Sequence, residues 1–261
     1  MTAMTGSVTG SIADGALQIR IANPGRRNAF TWTMYSELEA LLDGLADRPD
    51  VRIVTMRGTP EDGFAAGTDI RQFREFDDAE DGLAYERRIG QIVAKLLAVP
   101  VPVLALVEGA AVGAGMVLAA CCDVLVAEDG ARFGVPIVRT LGNCVPAAVV
   151  ARLRERVGPP VSDAMLLTGR IFTAQELTGT GFVSRLATPG TLKDTAQSVV
   201  TAVTQAAPLS VAGLKELSRR VEAAATPPPD EDILRSCYGS ADFKEGVAAF
   251  VDRRRPTWTG R

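Results

Sequence analysis

The chain has 261 residues, with 28 Lys and Arg against 31 Asp and Glu, four Cys and no His. Without an imidazole, Ser-His-Asp and Cys-His nucleophile systems are excluded, and so are the common His-containing zinc sites. A formal net charge of -3 gives no electrostatic footprint for nucleic acid. Cys121 and Cys122 are adjacent while Cys144 and Cys237 stand alone, so no C-x-x-C pair or metal site is expected.

The N-terminal MTAMTGSVTG lacks a basic n-region and an apolar h-region. A cytoplasmic protein with reduced thiols is the expectation. Ala16–Ala22 alternates apolar and polar residues like a half-buried strand, and Asn23-Pro24-Gly25 turns the chain. Thr33–Leu45 carries Met34, Leu38, Leu41, Leu42 and Leu45 at helical spacing. Val51–Met56 reads as a short buried strand, and Thr59–Thr68 as a loop. Tyr85–Leu97 is an amphipathic helix, Val101–Val107 a central strand and Val124–Ala127 another strand. Between these strands, Gly109–Gly115 is a small-residue turn that leads into a helix through Ala120.

The apolar stretch Leu96–Ala127 is broken by Pro100, Pro102, Glu108 and Asp123, so it reads as strand, turn and helix and not as a membrane span. After Pro146 the pattern is mostly helical: Ala147–Arg156, Ser162–Leu167, Thr173–Thr178, Leu192–Ala206 and Ser210–Ala225. A stiff Thr226-Pro-Pro-Pro-Asp230 linker and a last amphipathic segment, Asp242–Arg254, follow. Alternating strands and helices argue for an α/β core over residues 1–200 and a C-terminal helical region over 201–261.

Two small-residue turns follow predicted strands. One is Phe64-Ala-Ala-Gly-Thr-Asp-Ile70, and the other is Val107-Glu-Gly-Ala-Ala-Val-Gly-Ala-Gly-Met116. Small residues let a ligand approach the backbone, and N–H groups at a helix start point outward. Two such turns side by side could hold one oxyanion between two amides; alone, each reads first as a device for tight packing. Neither matches a dinucleotide fingerprint or a Walker loop.

Together with other pieces, the turns give a resemblance. Asn23-Pro, Arg27-Asn-Ala-Phe30, Phe64–Ile70, Pro102–Gly115, Cys122-Asp-Val124, Leu167-Thr-Gly169, Thr173-Ala-Gln-Glu176, Gly181-Phe-Val183 and Glu245–Phe250 followed by Arg254 occur in one order and spacing. The chain resembles the crotonase (enoyl-CoA hydratase/isomerase) superfamily over nearly its whole length. The resemblance implies an α/β spiral of ββα units, a helical C-terminal trimerisation region, and a homo-trimer or dimer of trimers. It implies an acyl-CoA substrate, with no cofactor, metal, nucleic acid or membrane partner. The backbone amides of Thr68 and Ala114 would hold the thioester oxygen as it becomes an enolate. The position of Ala114 is usually Gly in the family. CoA contacts would come from Arg26, Arg27, Ala29, Ala66, Thr68, Asp69 and Ile70, and from Phe250 and Arg253 near the C-terminus.

The chain departs from the family where its hydratases carry two glutamates. Val117 and Ile137 stand at those positions, and neither side chain can transfer a proton. The loop Pro136–Pro146 is one residue longer than the common form. It offers Arg139 and Asn143 as candidate catalytic groups, beside Thr140 and Cys144. Arg139 could bind a carboxylate or phosphate, and Asn143 could hydrogen-bond an enolate. Cys144 reads mainly as a buried thiol, Asp69 as a helix cap and Glu176 as part of a helix start. Glu108 carries no role that the sequence can argue. An acyl-CoA enzyme of unspecified reaction is the leading expectation. An acyl-CoA decarboxylase and a non-catalytic acyl-CoA binder or subunit are the alternatives.

Overall fold

The computed structural model describes residues 6–224 and 229–260. Residues 226–228 of the proline linker, and the first five residues of the N-terminal stretch read above, lie outside them. The chain opens with the hairpin β1 (Ser7–Ala13) and β2 (Ala16–Ala22), then α1 (Trp32–Asp43) and β3 (Ile53–Arg57). It continues through α2 (Ala79–Ala98), β4 (Val103–Val107), β5 (Ala110–Val112), α3 (Ala114–Cys121), β6 (Val124–Glu128) and β7 (Arg132–Gly134). The second half holds α4 (Ile137–Thr140), α5 (Ala147–Val157), α6 (Pro159–Thr168), β8 (Phe172–Thr173), α7 (Ala174–Thr178) and β9 (Arg185–Ala187). Four helices complete it: α8 (Leu192–Gln205), α9 (Pro208–Ala223), α10 (Glu231–Tyr238) and α11 (Ala241–Val251).

Six strands form one sheet in the order β1-β2-β3-β4-β6-β9, and β5-β7-β8 form a second, smaller one. Only β1 and β2 are antiparallel in the larger sheet. Their link is Asp14-Gly15, with φ of 52° and 73°, the left-handed pair that a two-residue hairpin requires. Val103–Val107 is buried at every position, as a central parallel strand covered on both faces must be. On one face α1, α2 and α3 supply the main core, where Met34, Leu38, Ile92, Leu96 and Met116 pack against Ile19, Val54, Met56 and Ala105. On the other face Leu192 and Ala196 of α8 cover Ile53, Leu104 and Val126. Position 200 lies inside α8.

Three local differences from the sequence reading have identifiable causes. Strand β1 exposes most of its residues, so it carries little apolar periodicity. Helix α2 begins at Ala79, six residues before Tyr85, because Asp78 and Asp81 form a capping box at its start. Gly109–Gly115 is not only a turn: β5 lies within it, paired to β7 and bridged through Ala111 to Ala65.

A third apolar cluster gathers Phe73, Leu83, Leu141, Leu234, Tyr238, Phe243 and Val247 beneath the C-terminal helices. Its close packing rests on glycine. A Cβ on Gly82 would lie 2.2 Å from the Tyr238 ring, so α10 seats on α2 only where α2 lacks a side chain.

Gly115 shows the same constraint inside the main core, where a Cβ would lie 2.0 Å from the Ala65 carbonyl oxygen. Gly115→Ala gains up to about 1 kcal/mol of helix propensity but forces backbone apart, at a cost of about 1–3 kcal/mol or more. Chemical denaturation is expected to show a net loss of stability. A stabilised variant would contradict this packing.

Candidate functional site

The two small-residue turns meet. Phe30 N–H donates to Gly67 O at 2.8 Å and Asp69 N–H donates to Phe30 O at 2.8 Å. This strand-like bridge turns the Thr68 N–H away from Phe30. On the facing turn, Gly113 N–H donates to Gly134 O at 2.8 Å, and Ala114 opens α3. Gly67 has φ of 88° and Gly113 has φ of 59°, both in the left-handed region. A Cβ on Gly67 would sit 3.3 Å from Val112 O and 3.6 Å from Ala114 N, and one on Gly113 would sit 3.5 Å from Gly67 Cα. Thus the turns touch glycine to glycine. Among the described residues, neither the Thr68 nor the Ala114 N–H donates to an acceptor of the protein.

Both turns line one cavity of ≈ 150 Å³. Its wall is mostly apolar: Val112, Val117, Val135, Ile137, Val149 and the half-exposed Phe250. The two positions where the resemblance implies glutamates therefore face the cavity as Val117 and Ile137. Among the described residues, no Lys or Arg lines it.

The carboxyl group in this wall is Glu86, on α2, which the sequence reading missed. Tyr238 O–H donates to Glu86 Oε1 in a short contact, and Asn143 Nδ2 donates to Tyr238 Oη at 2.8 Å. Burial, with a smaller contribution from the charge of Asp230, pushes the Glu86 carboxyl up to about 8, against the Tyr238 hydrogen bond. Nearby, Thr68 Oγ1 lies 2.7 Å from Tyr35 Oη and 2.8 Å from Tyr85 Oη. Burial raises both tyrosine hydroxyls above their usual range. One signal for Glu86 was available in the sequence. It stands four residues after Gly82 and three before Ile89, on the buried stripe of α2. A carboxylate on an apolar stripe needs a reason.

The other expected residues divide by position. Asn143 lines the cavity, and its Oδ1 is buried with no partner among the described residues. Thr140, Ala66 and Ile70 also line it. Arg26 and Arg27 are exposed on a turn beside it. That turn is fixed by Asp62, which accepts from Gly25 N and Arg27 N, and by Ala66 N–H donating to Arg27 O at 2.9 Å. Ala29 closes the turn onto Arg26 O at 3.0 Å.

Asp69 is not in the cavity wall. Its carboxylate accepts from Arg71 N at 3.2 Å and pairs with the Arg71 guanidinium, which holds it below the usual carboxylate range. Arg139 is exposed and also outside the wall, because its stem lies along Gly169. That placement takes it away from any acyl group in the cavity. Arg253 is exposed beyond the end of α11, away from the lining. Cys144 packs beside Cys237, and burial pushes its thiol up, which makes it a poor nucleophile. Glu108 pairs with Arg57 at 2.8 Å, and Glu176 closes a capping box with Thr173.

The family described as Enoyl-CoA hydratase/isomerase matches residues 11–261. A carnitinyl-CoA dehydratase of Citrobacter koseri is 31% identical over 258 residues, covering 94% of this chain and 95% of that one. The crystal structure of an enoyl-CoA hydratase/carnitine racemase from Magnetospirillum magneticum superposes with a TM-score of 0.79 at 27% identity, covering 97% and 96% of the two chains. A methylmalonyl-CoA decarboxylase in complex with 2-nitronate-propionyl-CoA shares the fold with a TM-score of 0.88 at 24% identity, covering 99% of this chain and all of that one. The chain therefore belongs to the enoyl-CoA hydratase/isomerase family and has the crotonase fold.

Proposed function

We propose that this protein binds an acyl-CoA thioester, places its carbonyl oxygen between the Thr68 and Ala114 amides, and stabilises the enolate that forms there. The observation that carries this reading is the pair of amides without acceptors among the described residues, on two turns in glycine contact. Preorganised donors of this kind stabilise developing negative charge without reorganising during the reaction.

The acyl group enters the ≈ 150 Å³ cavity. An apolar cavity of about that size holds a molecule the size of benzene, so a short acyl chain is the fitting occupant. CoA runs outward past Ala66, Ile70 and Phe250, with Arg26, Arg27 and Ala29 on the neighbouring turn. The exposed guanidiniums are suited to CoA phosphates. Hydration by paired carboxylates at positions 117 and 137 is not part of this reading, because Val and Ile occupy them. Those two residues also favour the second reading, an acyl-CoA-binding subunit without turnover. The proposal includes assembly of three copies or a dimer of trimers, supported by the exposed Leu209, Leu214, Leu217 and Val221 on α9.

A panel of enoyl-, β,γ-enoyl- and malonyl-type CoA thioesters, measured for binding and turnover, tests this. Ala114→Pro removes one amide at the first helical position, where proline is tolerated. It is expected to lower turnover about 10²–10³-fold, with the thermal transition retained. Unchanged turnover in that variant would sink the oxyanion assignment, and absence of binding to every thioester would sink the acyl-CoA reading. Binding without turnover of any thioester would establish the subunit reading. Sedimentation is expected to show trimers or hexamers.

A further inference from the structure

We propose that Glu86 is the acid–base residue of this site, exchanging a proton with the acyl carbon next to the thioester from the α2 wall of the cavity. The inference rests on the acyl-CoA reading above. Three observations carry it. First, Glu86 and the two amides share the wall of one ≈ 150 Å³ cavity. Second, among the residues described in that wall it is the carboxyl group, and the positions that could otherwise carry one are Val117 and Ile137. Third, its carboxyl is held in place: Tyr238 donates to Oε1, and Asn143 fixes Tyr238 in turn. A carboxyl group on the buried stripe of a helix, paired with no cation and oriented by a relay of two side chains, contributes nothing to packing that Gln or Leu would not. Such a buried, oriented carboxyl in a cavity wall marks a candidate for chemistry.

The step balances with the groups present. The Glu86 carboxylate takes the α-proton, and the C–H electron pair moves into the thioester as an enolate whose oxygen lies on the Thr68 and Ala114 amides. The Glu86 carboxyl then exchanges its proton with solvent and returns one to the α-carbon. The same group protonates any enolate formed by another route, including loss of CO₂ from a carboxylated thioester. The groups whose charge or burial bears on Glu86 are Tyr238, Tyr85, Tyr35, Asp230 and Cys144, none of them cationic. Glu86 therefore rests protonated near neutral pH, and its base form accumulates as pH rises towards and past about 8. Glu86 is the catalytic residue in this scheme. Tyr238 is a positioning residue.

Deuterium incorporation from solvent into the α-carbon of butyryl-CoA, followed by mass spectrometry, tests the assignment. Calorimetric binding of the same thioester runs alongside. The wild type is expected to bind and exchange, with a rate that climbs with pH and levels off above about 8. Glu86→Gln is expected to bind with about unchanged affinity and to exchange at least ~10²-fold more slowly. Glu86→Asp, which keeps a carboxyl one methylene short, is expected to fall between the two. Tyr238→Phe removes the hydrogen bond that favours the charged form and is expected to move the pH midpoint upward while exchange persists. Equal exchange by Glu86→Gln and wild type overturns the assignment and leaves the acyl-CoA reading standing. Binding without exchange by the wild type overturns it as well. Failure of the wild type to bind butyryl-CoA and the rest of the panel overturns the acyl-CoA reading itself, a result distinguishable because it appears in the binding arm.

Discussion

The site depends on a contact between two glycines. Gly67 and Gly113 lie so close that a Cβ on Gly67 would press on Val112 O at 3.3 Å and one on Gly113 would touch Gly67 Cα at 3.5 Å. Both adopt left-handed backbone angles that a side chain would strain. These two conditions bring the amides of Thr68 and Ala114 to one cavity. Each turn is held from behind by its own partners, Phe30 for the first and Gly134 for the second. The donors are therefore fixed before any ligand arrives, which is what makes backbone amides effective against a developing charge. The smaller sheet serves this arrangement too, since β5 and β7 carry the second turn to its place.

Around the amides, the cavity wall carries one carboxyl group among the described residues. Two carboxylates in this wall would repel each other and require water or a cation to share it. Val117 and Ile137 leave that part of the lining apolar. The carboxyl that remains comes from α2, behind a tyrosine hydroxyl, in surroundings that disfavour its charge. Burial is the larger influence here and the hydrogen bond the smaller one. The nearby Cys144 thiol and the tyrosines are pushed in the same direction by the same cause. The whole region is poor in charge.

Much of the fold was legible because local signals agree with the tertiary context. Strand β2 has the boundaries that its alternation predicts, and α1 and β4 follow their apolar patterns. Strand β1 was not read because its exposed edge gives no apolar repeat, although Asp14-Gly15 was a hairpin signal in plain view. Both turns of the site were legible as small-residue motifs. Glu86 was not, because its significance comes from what faces it. Tyr238 lies 152 positions away in sequence, and no local pattern links the two. Arg139 failed in the opposite sense: its position in the loop suggested a role, but Gly169 offers its stem a lane along the outside.

The seating of Tyr238 over Gly82 joins the end of the chain to the chemistry of its first half. Without α10 on α2, Glu86 lacks the hydrogen bond that Tyr238 donates to it. The amides can be in place while the carboxyl is not. In a chain that ends before α10, the two amides would lack a Tyr238-bonded carboxyl beside them. The proposed proton transfer therefore depends on the helices at the end of the chain as well as on the amide pair.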